Sequence, residues 1–267
     1  MLIRVSSLSN PLIKEYKKLL HNRQYRQKTN KIILEGPNLV REAFKAGFIP
    51  EVVFYTRDYF ESSGIEWLTK LPREVKQVVL SEAVFKSIAE TETPRAVAAI
   101  LPFSSDHRDI PLASEPRLIL ILDRLQDPGN MGTIIRTAAA AGVDQICYSS
   151  GSVDPYSPKV LRSTAGTIFN ISLKAVDDLK ALIADCREKG IRVITTCARS
   201  GLQLWNADLK GPIALIIGNE ADGVSPQLNT ASELKVSIPL AGSVDSLNAG
   251  VAAGIIMFEI VRQNTTR

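Results

Sequence analysis

LILILDRLQDPGNMGTIIRTAAAAG, Leu118 to Gly142, sets the fold class. Leu118-Ile119-Leu120-Ile121-Leu122 is unbroken aliphatic sequence, as expected of a parallel strand buried on both faces. Asp127-Pro128-Gly129-Asn130 are turn formers. An alanine-rich helical pattern follows, expected over Thr133 to Ala141 and closed by Gly142. Its one charge is Arg136, about one and a half turns in. An apolar helix exists to be buried. The arginine is therefore either paired with an acid such as Asp123 or Asp127, or aimed at something bound in the turn. The small alanines let the helix pack closely, which leaves Arg136 facing the loop.

Working outward, the same texture continues. Strands are expected at Gln145 to Ser149, Arg192 to Cys197, Ile213 to Ile217 and Leu234 to Ile238. Helices are expected at Val176 to Lys189, Pro226 to Ala231 and Ser246 to Val261. Alternation of this kind gives an α/β domain with a parallel sheet over residues 118–267. Upstream, residues 11–30 read as one basic amphipathic helix, with Leu12, Ile13, Tyr16, Leu19 and Leu20 at helical spacing. Lys31 to Leu34, Pro50 to Tyr55, Val75 to Leu80 and Ala96 to Leu101 read as strands, and Leu39 to Ala46 and Ser81 to Ala89 as helices. They make a smaller α/β unit over residues 1–105. The polar, aperiodic stretch FSSDHRDIPLASEPR separates the two, with a linker at 106–117.

The chain has 267 residues, 45% apolar and 22% charged, an ordinary globular balance. No run approaches the roughly 18 to 20 apolar residues that span a bilayer, and the first residues lack the apolar core of a secretory signal. Cys147, Cys186 and Cys197 lie far apart in no metal-ligand spacing, and His21 and His107 are the only histidines. A cytoplasmic protein with reduced thiols, no membrane partner and no metal is expected. The net charge is +4, yet residues 1–30 alone carry +6. Basic charge gathered at one end, with Lys17, Lys18, Arg23 and Arg26 among it, points to a polyanion such as RNA.

Ligands of parallel sheets bind beyond the carboxyl ends of the strands. Three loops there are rich in Gly, Asn and small polar residues: Gln126 to Thr133, Ile216 to Pro226 and Ile238 to Gly250. The G-x-G-x-x-G and G-x-x-x-x-G-K-[ST] patterns are absent, so a dinucleotide dehydrogenase and a P-loop NTPase are disfavoured. Both histidines precede the second domain, so Ser-His catalysis lacks its base. Asp123, Asp127 and Glu220 offer carboxylates for a metal, but the backbone groups of the same loops suit a neutral, adenosine-like ligand.

The three loops closely resemble the motifs of the SpoU (TrmH-like) branch of the SPOUT RNA 2'-O-ribose methyltransferases. The first motif is similar to Asp127-Pro128-Gly129-Asn130-Met131-Gly132-Thr133-Ile134-Ile135-Arg136-Thr137. The second is similar to Ile217-Gly218-Asn219-Glu220-Ala221-Asp222-Gly223-Val224-Ser225. The third is similar to Ile238-Pro239-Leu240-Ala241-Gly242 with Ser246-Leu247-Asn248 and Val251-Ala252-Ala253-Gly254. One departure is Ala249-Gly250, where Val and Ser are more usual after the asparagine. Both replacements are small, and the helix start is expected to be looser. Ile32-Ile33-Leu34-Glu35-Gly36 with Val40-Arg41-Glu42-Ala43 resembles the family's frequent N-terminal substrate-binding domain.

The resemblance implies a fold of an N-terminal α/β substrate-binding domain and a parallel-sheet SPOUT domain ending in a trefoil knot. It implies a homodimer whose active site combines residues of two subunits. It implies methyl transfer from S-adenosylmethionine to a ribose 2'-hydroxyl of structured RNA. Gly218, Ile238 and Leu247 match the positions whose backbone holds the cofactor's adenine and ribose, and Glu220 and Ser246 line the same site. Arg136 matches the catalytic arginine and Asn130 the asparagine that positions the reacting nucleotide. Family accounts make the arginine a general base. A guanidinium with a pKa above about 12 is a poor one near neutrality, which favours stabilisation of the developing alkoxide. Lys159, Arg162 and Ser163, in SPKVLRSTAG, match a basic helix near the active site. Arg162 is thus a candidate phosphate contact, with an ion pair as the alternative. The expected substrate is 23S-type rRNA. The alternatives are a tRNA 2'-O-methyltransferase and a non-catalytic RNA-binding or ribosome-assembly protein on the same fold.

Overall fold

A computed structural model describes residues 2–90, 96–103, 115–242 and 244–265. They gather into two compact units. Tyr156–Asn170, expected within the C-terminal domain, cluster with the N-terminal one. Most of the linker expected at 106–117 lies outside the described residues.

The N-terminal unit is a five-stranded sheet in the order β1-β4-β3-β5-β2. Its strands are β1 (Leu2–Val5), β2 (Lys31–Glu35), β3 (Val52–Thr56), β4 (Lys76–Leu80) and β5 (Val97–Pro102). β1, β4 and β3 run parallel, while β5 is antiparallel to both β3 and β2. β1 is too short and too exposed to show an apolar period in the sequence. The expected single basic helix is broken into α1 (Pro11–His21) and α2 (Arg23–Thr29). Asn22 makes the break: its N–H donates to the Lys18 carbonyl, and its side chain accepts from the Tyr25 N–H. Tyr16 and Phe54 meet edge to face, ring centres 5.4 Å apart, in a core shared with Leu19, Val78 and Ile100. α3 (Pro37–Lys45) starts two residues before the pattern indicated, because proline fits the first helical position. α4 (Arg57–Tyr59), a π-turn at Phe60–Gly64 and α5 (Ile65–Leu68) precede β4, and α6 (Glu82–Ile88) follows it. Tyr156–Asn170 contains α8 (Pro158–Ser163); Tyr156 lies against Phe103 and Phe169 against Phe48, with centroids 4.7 and 5.3 Å apart.

The C-terminal unit is a seven-stranded, all-parallel sheet in the order β10-β12-β9-β11-β6-β7-β8. β6 (Leu118–Leu122) sits between β7 (Gln145–Ser149) and β11 (Ile213–Ile217), all but fully buried, as its aliphatic run required. β9 (Arg192–Thr196) lies between β11 and β12 (Leu234–Ser237), and β10 (Leu202–Gln203) edges the sheet. β8 (Ser172–Val176) occupies the other edge. Its last residue was expected to open a helix; instead Asp178 caps α9 (Leu179–Glu188), accepting from the N–H groups of Lys180 and Ala181. α7 spans Pro128–Ala141, five residues earlier than expected, with Asp127 as its cap accepting from the Asn130 N–H at 2.7 Å. The supposed loop formers Pro128, Gly129 and Asn130 are thus its first turn. α10 (Pro226–Thr230) follows β11, and the chain closes with α11 (Ala249–Asn264). α11 lies on α7 through small residues: a Cβ on Gly250 would sit 3.1 Å from Thr133, and one on Gly254 would sit 3.3 Å from Thr137. Among the described residues no helix is long and apolar enough to cross a membrane.

Candidate active site

The loops leaving β6, β11 and β12 converge on one cavity of about 520 Å³, within the range of small-molecule sites. Asn130, Gly218, Glu220, Ile238, Ser246 and Leu247 all line it, so six of the residues singled out from the sequence come together. Three polar side chains tie the loops. Asn130 Nδ2 donates to Glu220 Oε1 at 3.0 Å, and Asn248 Nδ2 donates to Asn130 Oδ1 at 2.7 Å. Glu220 also accepts from the N–H groups of Gln126 and Asp127 at 3.1 and 3.0 Å. Burial works to raise the Glu220 carboxyl, but the bonds from Asn130, Asp127 and Gln126 outweigh it and hold the group below the usual carboxylate range. A carboxylate committed to three donors is a structural anion rather than a proton acceptor.

Asn219 and Gly223 exchange both backbone hydrogen bonds, closing the β11 loop into a tight turn. A Cβ on Gly218 would collide with the carbonyl carbon of Gly223 and the nitrogen of Val224. Only glycine admits that turn where β11 meets the cavity. Ile238, Leu240 and Leu247 provide apolar wall. The Ser246 hydroxyl has no partner among the described residues. Flat apolar walls, backbone groups at strand ends and a few hydroxyls are the donor set that holds an adenosine, so the residues present fit S-adenosylmethionine. Among the described residues no three His, Cys, Asp or Glu side chains gather to hold a metal. Burial pushes the Cys147 thiol up to about 12 and that of Cys186 to about 11, which leaves neither as a nucleophile.

The cavity also takes Thr196, Cys197 and Ala198 from the end of β9, together with Asn248, none of them singled out from the sequence. The rule that ligands lie at the carboxyl ends of parallel strands pointed to the first three. Their loop lacks the Gly-Asn texture that drew notice to the others. Asn248 stood inside the third motif, and its bond to Asn130 required the fold.

Two expectations, for Arg136 and Arg26, are corrected. Arg136 does not face the loop. It is exposed on α7, lines no part of the cavity of its own chain, and has no hydrogen bond or ion pair among the described residues. The paired alternative fails too: Asp123 is held by Arg124 and the Ser225 N–H, and Asp127 caps α7. Arg26 is buried, its guanidinium donating to the Leu19 and Leu20 carbonyls at the end of α1, so it serves the helix rather than RNA. Of the two alternatives for Arg162, the structure displays the ion pair, 3.1 Å from Glu35 and 2.7 Å from Glu90. Glu35 in turn accepts from the Tyr16 hydroxyl at 2.5 Å, and burial foremost, with the Glu35 charge next, raises the Tyr16 phenol far above its ordinary value. The remaining basic residues are open to solvent: Lys18 and Arg23 are exposed and Lys17 half-buried, with the Lys18 ammonium 5.4 Å from the Tyr25 ring.

Comparison with known proteins agrees with this geometry. Residues 117–258 match the model of the SpoU rRNA Methylase family, and residues 10–99 match that of the MRM3-like substrate binding domain. The chain is 33% identical to the 23S rRNA (guanosine(2553)-2'-O)-methyltransferase RlmP of Bacillus subtilis, over 96% of this chain and 98% of that protein. Among solved structures it is similar to an RNA 2'-O ribose methyltransferase, with a TM-score of 0.86, 28% identity and coverage of 98% of this chain and 99% of that one. It is also similar to AviRb of Streptomyces viridochromogenes in complex with AdoMet, with a TM-score of 0.84, 30% identity and coverage of 95% and 98%. A parallel sheet whose strand ends carry three interlocked loops, and a family match over more than half of the residues, lead to one statement: the chain belongs to the SpoU rRNA methylase family.

Proposed function

We propose that this protein methylates a ribose 2'-hydroxyl in structured RNA of the 23S rRNA type. The observation that carries the reading is the joining of all three motif loops around one cavity by Asn130, Glu220 and Asn248. The full-length relative in B. subtilis is named for 2'-O-methylation of 23S rRNA, which supports the choice of RNA. S-adenosylmethionine, when bound, supplies a methyl group on a positively charged sulfur. The backbone at Gly218, Ile238 and Leu247 holds its adenosine, with Glu220 and Ser246 along the same wall. Asn130, whose amide is fixed at both ends, positions the nucleotide that enters above the first turn of α7. Lys17, Lys18 and Arg23 grip RNA phosphates.

Arg136 stabilises the alkoxide that develops on the ribose oxygen. Because it is exposed and has no hydrogen bond or ion pair among the described residues of its own chain, it acts in the cavity of a second subunit. Val251 and Phe258, each 49% exposed, and the half-buried Ile255 form an apolar stripe along α11. That stripe supports a homodimer through this helix. The family match supports a C-terminal trefoil knot. With rRNA as substrate, the protein works in the cytoplasm, where its three unpaired cysteines stay reduced.

The test is methylation of total RNA from a strain lacking the gene, using labelled S-adenosylmethionine, followed by mapping of 2'-O-methyl sites. Label in large-subunit rRNA is expected, with at least about a hundredfold loss for Arg136→Ala. Label in tRNA would move the protein to the tRNA branch. RNA binding that needs no cofactor and ignores Arg136→Ala would make it a non-catalytic assembly protein.

A further inference from the structure

The N-terminal unit contains its own cavity, about 600 Å³, separate from the methyl-transfer residues. It opens where the start of α3, the end of β3 and the start of α6 meet, lined by Arg41, Asp58, Tyr59, Ser62, Ser63 and Glu82 among others. Its backbone is unusual at two places. Ala96, also on its wall, sits at φ 43°, in the left-handed region that non-glycine residues avoid. The π-turn Phe60–Gly64 contributes Ser62 and Ser63 to the wall, and such turns cluster at functional sites.

The π-turn fixes one aromatic ring. A Cβ on Gly64 would lie 2.9 Å from the Tyr59 ring and 2.8 Å from Leu68, so the glycine leaves room for the ring to lie down there. The Tyr59 hydroxyl accepts from the Trp67 indole N–H at 3.0 Å, which sets its direction. Burial raises the Tyr59 phenol against the pull of that bond and of the nearby Arg41 charge. Arg41, Asp58, Ser63 and Glu82 are exposed, and among the described residues none has a hydrogen-bond partner for its side chain.

The mixture decides the ligand class. Two carboxylates on the wall oppose a bare phosphate or sulfate. A lone arginine beside a fixed ring and free hydroxyls suits a ligand with an anion, a flat face and a sugar. The carboxylates then need adjacent donors. Guanine alone among the bases shows two on its pairing edge, N1–H and N2–H₂; the others show a donor beside an acceptor, or a single donor. We propose that this cavity takes one guanosine nucleotide unstacked from the RNA substrate, with Tyr59 against the base, Asp58 and Glu82 on its pairing edge, Arg41 on the phosphate and Ser62 and Ser63 near the ribose. The inference rests on the RNA reading above and assigns the N-terminal unit a base-selective role in place of a purely electrostatic one.

Saturation-transfer NMR with GMP on the full chain tests it, with S-adenosylhomocysteine filling the C-terminal cavity. Transfer to the guanine and ribose protons is expected, with weaker signals from AMP, CMP and UMP. It should drop about fivefold or more in Tyr59→Ala, Arg41→Ala and Asp58→Asn. Tyr59→Ala risks local misfolding through Trp67, whereas Arg41→Ala and Asp58→Asn alter exposed groups and keep the fold, as a thermal melt will show. No GMP transfer, equal signals from the four nucleotides, or a GMP signal unchanged by Arg41→Ala and Asp58→Asn would each overturn the proposal. The readout involves no methyl transfer: loss of GMP binding in an active methyltransferase sinks this inference alone, and GMP binding in a protein that methylates no RNA sinks only the activity.

Discussion

Glu220 shows how one carboxylate can organise a site without reacting. Its hydrogen bonds hold its folded pKa below the usual range. A lowered folded pKa contributes stability that is present above the unfolded value, near 4.3, and is lost as pH falls through the folded value. Cofactor affinity should therefore be flat from neutral pH down to the ordinary carboxylate range and fall only below it. Isothermal titration with S-adenosylmethionine across pH would show this; a break near pH 6 would sink the assignment. Glu220→Gln puts an amide donor against the N–H groups and should weaken binding by roughly tenfold at all pH values. Arg26 offers the opposite lesson at the same scale. Charge alone marked it as an RNA contact, yet from α2 it donates to the carbonyls that close α1. Arg26→Ala should lower stability by about 1–3 kcal/mol in a denaturant titration. Lys18→Ala and Arg23→Ala should instead weaken RNA binding and reduce its salt dependence, each by about one phosphate contact.

At the scale of elements, the aliphatic strands were legible because burial on both faces leaves no period to misread. β6, β7, β9 and β11 appear within about a residue of their expected ends. Helix starts were less legible. Caps and prolines read as turns in sequence, so α7 was placed too late and the first turn that carries Asn130 was read as loop. α11 shows the reverse error: Ser246 and Leu247 looked helical, but the helix begins only after Asn248. That residue accepts from the Gly250 and Val251 N–H groups with one end of its amide and donates to Asn130 with the other. The two ends can be separated experimentally. Asn248→Asp keeps the cap and loses the donor, so stability should hold while kcat falls. Asn248→Ala loses both, with about 0.5–2 kcal/mol of stability. Equal kcat for wild type and Asn248→Asp would show that the link to Asn130 has no part in catalysis.

For the whole molecule, Arg136 is the residue that a single chain leaves unexplained. Its motif marks it for catalysis, yet it stands exposed, away from the cavity its neighbours line. Sequence could mark the residue but not its address, because assembly is a property of surfaces that only the fold displays. If the exposed stripe of α11 is a dimer face, Phe258→Glu places a charge in its middle and should give monomers by light scattering, folded but inactive. Complementation then asks whether the site is shared. Arg136→Ala should bind S-adenosylmethionine normally and transfer nothing. Gly218→Ala, with its Cβ driven into Gly223 and Val224, should lose the cofactor. If each arginine serves the opposite subunit, a mixed dimer keeps one cavity with both an intact Gly218 and a partner's intact Arg136. Equal mixing with subunit exchange then restores about a quarter of wild-type activity, since half the dimers are mixed and each has one good site. If the arginine serves its own chain instead, every cavity in the mixture lacks one component, and activity stays at the level of the two parents.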